Sequence, residues 1–259
     1  MCNFTQVTIL MTRVVGYQLT TASCCGAVFK APRFASISFF ASEIWTDGYL
    51  KDSLMPNDHG LRRCQCGEFL LESGLVKLDR ADAKDARIPE RVSSAELPLA
   101  IALARTAEIK LAARLDYWHY LNHPYRAEYR AHRNDEEAAT QAAWEAANPD
   151  QRTEAERLNR FVNRMPMYKP SNDRPITFPV FAPTTQQKEN MAAIIELFGT
   201  TGRTHWSLLY FPEILRELGR FDEANEALSK LDPKEAPMFH LVSANLIQKR
   251  QTAPVRYQP

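Results

Sequence analysis

The sequence predicts an α+β protein in which a small β module is followed by a mainly α-helical domain. Three observations carry this. Four of the five cysteines fall in two cysteine-glycine turns, Cys24-Cys25-Gly26 and Cys64-Gln65-Cys66-Gly67. The residues around these turns alternate at the period of two expected of short strands. From Ser93 onward the apolar period changes to three and four, as in a helix with one buried face.

Taken in order, residues 1–16 show little pattern and read as an N-terminal tail. Residues 17–80 form the β module, with alternation in Ala27-Val28-Phe29-Lys30 and again from Phe34 to Phe39. Asp47-Gly48 and Asn57-Asp58-His59-Gly60 are turn signals between the two cysteine pairs. A module this small has a thin core, which a bound metal would supplement, because binding free energy at a structural metal site is also folding free energy. Cys24, Cys25, Cys64 and Cys66 are the expected ligands of one structural zinc ion, since zinc favours four thiolates in a tetrahedron. Zinc knuckles usually place two residues between paired cysteines, whereas here there are none in the first pair and one in the second. Cys24 is therefore the irregular member, and His59 is the alternative ligand. Reduced cysteines packed as small hydrophobes are the bland alternative.

The run Ala22 to Phe29, then Trp45-Thr46-Asp47-Gly48, Met55-Pro56 and Arg63-Cys64-Gln65-Cys66-Gly67, resembles a group of uncharacterised bacterial proteins. These join an N-terminal zinc-ribbon-like module to a helical, tetratricopeptide-like region. The resemblance implies a zinc-binding module with Cys25, Cys64 and Cys66 at matched ligand positions, and it brings no activity with it.

Residues 93–250 are expected to form the helical domain. Ser93 and Glu96 fit a capping box, and Leu99, Leu103, Ala107, Leu111, Leu115 and Trp118 form one apolar stripe. His119 and His123 lie four apart, but Tyr120 stands where a zinc hydrolase needs glutamate, and Pro124 turns His123 out of helical geometry. They are read as structural. Two exposed helices divided at Asn148-Pro149-Asp150 are expected next, followed by an extended segment from Met165 to Pro183 that holds five of the 16 prolines. Thr184 or Thr185 caps a helix that Gly199 ends. A hairpin near 205–233 resembles one tetratricopeptide unit, with Gly219 at a close helix approach and Phe221, Ala224 and Leu228 in the seam. Glu217, Arg220 and Glu226 are placed on its outer face.

Lys and Arg total 32 against 31 for Asp and Glu, a formal net charge of +1, which gives little electrostatic reason for a dedicated nucleic-acid binder. No phosphate loop or nucleophile elbow is present. Four sulfur ligands leave no open metal position for catalysis. The expected function is thus a zinc-binding, non-enzymatic cytoplasmic protein whose helical domain meets a protein partner. A nucleic-acid-associated regulator using Lys30, Arg33, Arg62 and Arg63 is the alternative, and a metal-dependent hydrolase ranks below it. No membrane segment is expected.

Overall fold

A computed structural model describes residues 13–36, 41–53, 59–79, 86–149, 181–201 and 205–257. The first twelve residues of the expected tail, Met55-Pro56, the expected helix from Thr153 to Val162 and most of the proline-rich segment lie outside the described residues. The chain divides into two compact units, one of Met1–Asn122 with Phe181–Pro259, the other of His123–Val180.

The first unit is mixed α and β. Among its described residues, nine short strands form three antiparallel sheets. In the first, β1 (Arg13–Thr21) pairs with β2 (Val28–Ser36), and β7 (Val76–Lys77) adds to the other side of β1. β1 thus begins inside the stretch expected to be tail. Val14 and Val15 are β-branched and suit an extended backbone, and Val14 stands opposite Phe34. In the second sheet, β3 (Glu43–Trp45) lies between β4 (Leu50–Lys51) and β9 (Arg256–Tyr257). In the third, β5 (Leu61–Arg63) lies between β6 (Phe69–Leu71) and β8 (Glu90–Arg91).

The expected capping box forms between Ser93 and Glu96, but it opens a short 3₁₀ turn, Ser94–Glu96. Then come α1 (Leu97–Leu103) and α2 (Ala107–Ala147). The single stripe expected from Leu99 to Trp118 is corrected by this division. The chain leaves helical geometry at Ala104, so Leu97 and Ala100 are the buried residues of α1, whereas Leu99 and Leu103 are half exposed. On α2, Leu115 and Trp118 are buried as the period predicts. Pro124 does not end the helix. A proline removes one donor from the ladder, and a helix of 41 residues retains the flanking bonds on both sides. The helix stops at Ala147, beside the expected break, where Asn148 N–H and side-chain Nδ2 both donate to the Trp144 carbonyl.

In the C-terminal part, α3 (Thr185–Thr200) starts with the expected cap: Thr184 Oγ1 accepts from Gln187 N–H, and Gln187 Oε1 accepts from Thr184 N–H. It continues through Gly199. α4 (His205–Glu217) and α5 (Phe221–Leu228) form a helical pair, followed by α6 (Pro237–Gln248). Phe221, Ala224 and Leu228 are buried with Leu215, Leu231, Phe239 and Ile247 in one cluster. Gly219 takes another role than the one expected. At φ +76° it follows the end of α4, with Gly219 N–H donating to the Arg216 carbonyl and Arg220 N–H to that of Leu215. This is a glycine-terminated helix end, and a Cβ there would meet nothing closer than Phe221 at 4.0 Å. The close approach instead falls at Gly48, where a Cβ would lie 2.3 Å from Tyr210 Cε1.

Candidate metal centre

Two hairpin turns build the cysteine cluster. Between β1 and β2, Gly26 N–H donates to the Ala22 carbonyl and Ala22 N–H to that of Ala27, closing a loop with Cys24 and Cys25 at its tip. Between β5 and β6, Cys64 N–H donates to the Glu68 carbonyl and Gly67 N–H to that of Cys64. Gly26 at φ +73° and Gly67 at φ +92° hold the left-handed geometry that each turn needs just after its cysteines. The recurring Cys-Gly pattern in the sequence reports this requirement.

The two turns face each other. Cys25 Sγ lies 3.4 Å from Cys64 Sγ, and Cys24 Sγ lies 3.5 Å from Cys64, 3.6 Å from Cys66 and 3.9 Å from Cys25. All four sulfurs fall within 4.8 Å of one another, so the group can hold a metal ion. Among the described residues it is the one group of three or more such side chains that does. These four cysteines are free thiols, with Cys64 buried and Cys24, Cys25 and Cys66 exposed. Cys64 rests on Ala22 and Phe29, with Leu70 and Leu75 against them, and this gives the site an apolar floor. Beside Cys24 opens a cavity of about 470 Å³, lined by Phe69, Leu75 and Ile109 and rimmed by Ser23 and the Glu68–Arg105 ion pair.

Without a metal, the sulfurs do not ionise alike. The Glu68 backbone N–H holds the Cys66 thiol down to about 7. Desolvation, followed by hydrogen bonds with the other sulfurs, pushes Cys24 up to about 12, and desolvation also raises Cys64 against the lowering effect of a backbone hydrogen bond at Cys66. A cation at the centre reverses this, because coordinated thiols are deprotonated.

His59 is placed elsewhere. Its Nδ1 lies 2.6 Å from Asp116 Oδ1, its backbone N–H donates to the same oxygen, and its ring packs on His119 and Tyr210. His119 is buried, with Nε2 2.8 Å from the Asp47 carbonyl oxygen. Both arginines beside the second turn are engaged by carboxylates, Arg62 by Glu72 and Arg63 by Glu96.

A second constellation was missed in the sequence. Asp47, at the turn between β3 and β4, is fully buried with Glu213, Arg216 and Glu217 of α4. Asn122 Nδ2 donates to Asp47 Oδ2 at 3.2 Å and to both Glu217 oxygens at 3.2–3.3 Å. Trp118 Nε1 donates to Glu217 Oε2 at 2.9 Å, and Gln187 Nε2 donates to Asn122 Oδ1. Arg216 is paired with Glu213 and reaches Thr46 Oγ1 and the Gln251 carbonyl. Burial pushes the Glu217 carboxyl well above the usual carboxylate range, and Glu213 and Asp47 add to the effect. Glu217 thus sits inside the protein, which corrects its expected place on an outer face. Arg220 and Glu226 are exposed, as expected. Part of the signal was available: Glu213 and Glu217 stand four apart on a helix and share a face with Tyr210 and Ile214, which are buried together in one apolar cluster.

No family model matches the chain, and neither a curated protein nor a solved structure matches it. No helix among the described residues is long and apolar enough to cross a membrane.

Proposed function

We propose that this chain is a zinc-binding, non-enzymatic protein. One structural zinc, held by Cys24, Cys25, Cys64 and Cys66, braces a zinc-ribbon-like module, and the helices present a surface to a protein partner. The observation that carries the metal reading is the convergence of four free sulfurs, two from each glycine-ended turn, within 4.8 Å. Four thiolates around a d¹⁰ cation complete a tetrahedron and leave no water position, so the ion acts as a cross-link between hairpins and not as a Lewis acid. The sulfur-only donor set favours zinc over hard cations, which take oxygen ligands. Support for a partner surface comes from α6, where Met238 and Leu241 are three apart and 41% and 66% exposed.

Elemental analysis of protein purified without chelator is expected to find about one zinc per chain. Cys66→Ser is expected to lose it, and Cys24→Ser to lose it as fully, because Cys24 Sγ touches all three other sulfurs. A folded, metal-free protein would overturn the reading.

A further inference from the structure

We propose that the cysteine centre is also an oxidative modification site, at which a peroxide converts the metal-holding thiolates into a disulfide between the two turns and expels the ion. The inference rests on the metal reading above and concerns what the same sulfurs do when an oxidant reaches them.

Three features of the geometry carry it. The first is access. Cys24, Cys25 and Cys66 are exposed, and the cavity lined by Phe69, Leu75 and Ile109 opens onto Cys24, so a small oxidant reaches the sulfurs without unfolding the protein. The second is pairing. Cys24 and Cys66 are both exposed and their sulfurs lie 3.6 Å apart, so each stands beside a resolving partner from the opposite hairpin. Behind them, Cys25 and Cys64 lie 3.4 Å apart and form a second such pair. The third is that the cross-link survives. A disulfide from Cys24 to Cys66 joins the same two turns that the metal joins, 42 residues apart in sequence. Neighbouring Cys24 and Cys25 sit in one turn and cannot replace that link.

The chemistry balances with hydrogen peroxide as the two-electron oxidant. The Cys66 thiolate attacks one peroxide oxygen; an S–O bond forms, the O–O bond breaks, and hydroxide leaves. The Cys24 thiolate then attacks the sulfenic sulfur; the S–S bond forms, the S–O bond breaks, and a second hydroxide leaves. Two sulfurs are oxidised by one electron each and the peroxide is reduced by two. Cys25 and Cys64 remain as two thiolates, too few to retain the ion, which passes to solvent.

The test treats the full chain, as purified, with hydrogen peroxide in the presence of a metallochromic indicator and maps disulfides by mass spectrometry after alkylation without reduction. Release of the bound zinc together with a Cys24–Cys66 cross-linked peptide, reversed by dithiothreitol and added zinc, is the expected result. Retention of metal and four free thiols would overturn the proposal. So would sulfinic or sulfonic acids on single cysteines with no cross-link between turns, or a link confined to Cys24 and Cys25. Protein that holds no zinc as purified would defeat the metal reading alone. The same mapping on that reduced chain would still decide the disulfide, with a Cys24–Cys66 link supporting it and its absence overturning it.

Discussion

Glu217 shows what one buried side chain can do. It accepts from Trp118 and Asn122 in a site shared with two further carboxylates, Asp47 and Glu213, and the guanidinium of Arg216 is paired with Glu213. Desolvation and the neighbouring acids raise its pKa, so the folded state binds this proton more tightly than the unfolded chain, where a glutamate titrates near about 4.3. The stabilisation linked to that proton is complete below the unfolded value and is lost as pH rises toward the folded one. Glu217→Gln removes the titration. Relative to the parent, the variant should gain stability with rising pH, by up to about 1.4 kcal/mol per pH unit inside the window. Urea midpoints at about pH 5 and about pH 8 measure this; an unchanged difference between the two proteins would mean that the carboxyl is ionised throughout.

The α4–α5 pair illustrates the next scale, where packing period and end chemistry act together. Phe221, Ala224 and Leu228 fall three and four apart and all enter the cluster with Leu215 and Phe239. Ala224 is fully buried, so extra volume has nowhere to go. Ala224→Phe should overpack the seam and cost about 1–3 kcal/mol, while Glu226→Ala on the exposed face should leave the denaturation midpoint nearly unchanged. Equal midpoints for the two variants would show that the seam is not closed. Glycine and the buried residues divide the work here: Gly219 turns the chain at the end of α4, and Ala224 permits the contact. The sequence pattern placed Ala224 in the seam, where it is, but put Gly219 at the close helix approach, whereas it terminates α4.

Across the whole chain, the residues that close the second sheet come from opposite ends of the sequence. Ile44 stands opposite Tyr257 and Trp45 opposite Arg256; Thr46 N–H donates to the Val255 carbonyl, and Thr46 Oγ1 accepts from Val255 N–H. Trp45 is fully buried on this sheet, and Asp47, two residues on, belongs to the buried polar constellation. A truncation after Pro254 would strip β3 of one neighbour and open the side of that constellation. It should cost on the order of 2 kcal/mol or more, read as a lowered urea midpoint with a cooperative transition retained. A truncated protein as stable as the full chain would show that β9 adds nothing to the sheet.

What the sequence determined by itself is what neighbours within a few residues control. The Thr184–Gln187 and Ser93–Glu96 caps, the stop after Ala147 and the burial of Leu115 and Trp118 all follow from local propensity and helical period. The two glycine-ended turns were legible for the same reason, since a left-handed residue beside a hairpin tip is a local demand. The tertiary structure alone decided which surfaces meet. It carried the C-terminal strand to β3, divided the expected stripe at Ala104, gave His59 to Asp116 and enclosed Asp47, Glu213 and Glu217 together. The four cysteines expected to share one site do converge, but only the tertiary structure set Sγ distances of 3.4–3.6 Å between the two turns, although their spacing in the chain departs from the usual knuckle. Strand pairing, desolvation and ligand geometry depend on distances between segments far apart in the chain, and a one-dimensional pattern carries no measure of those distances.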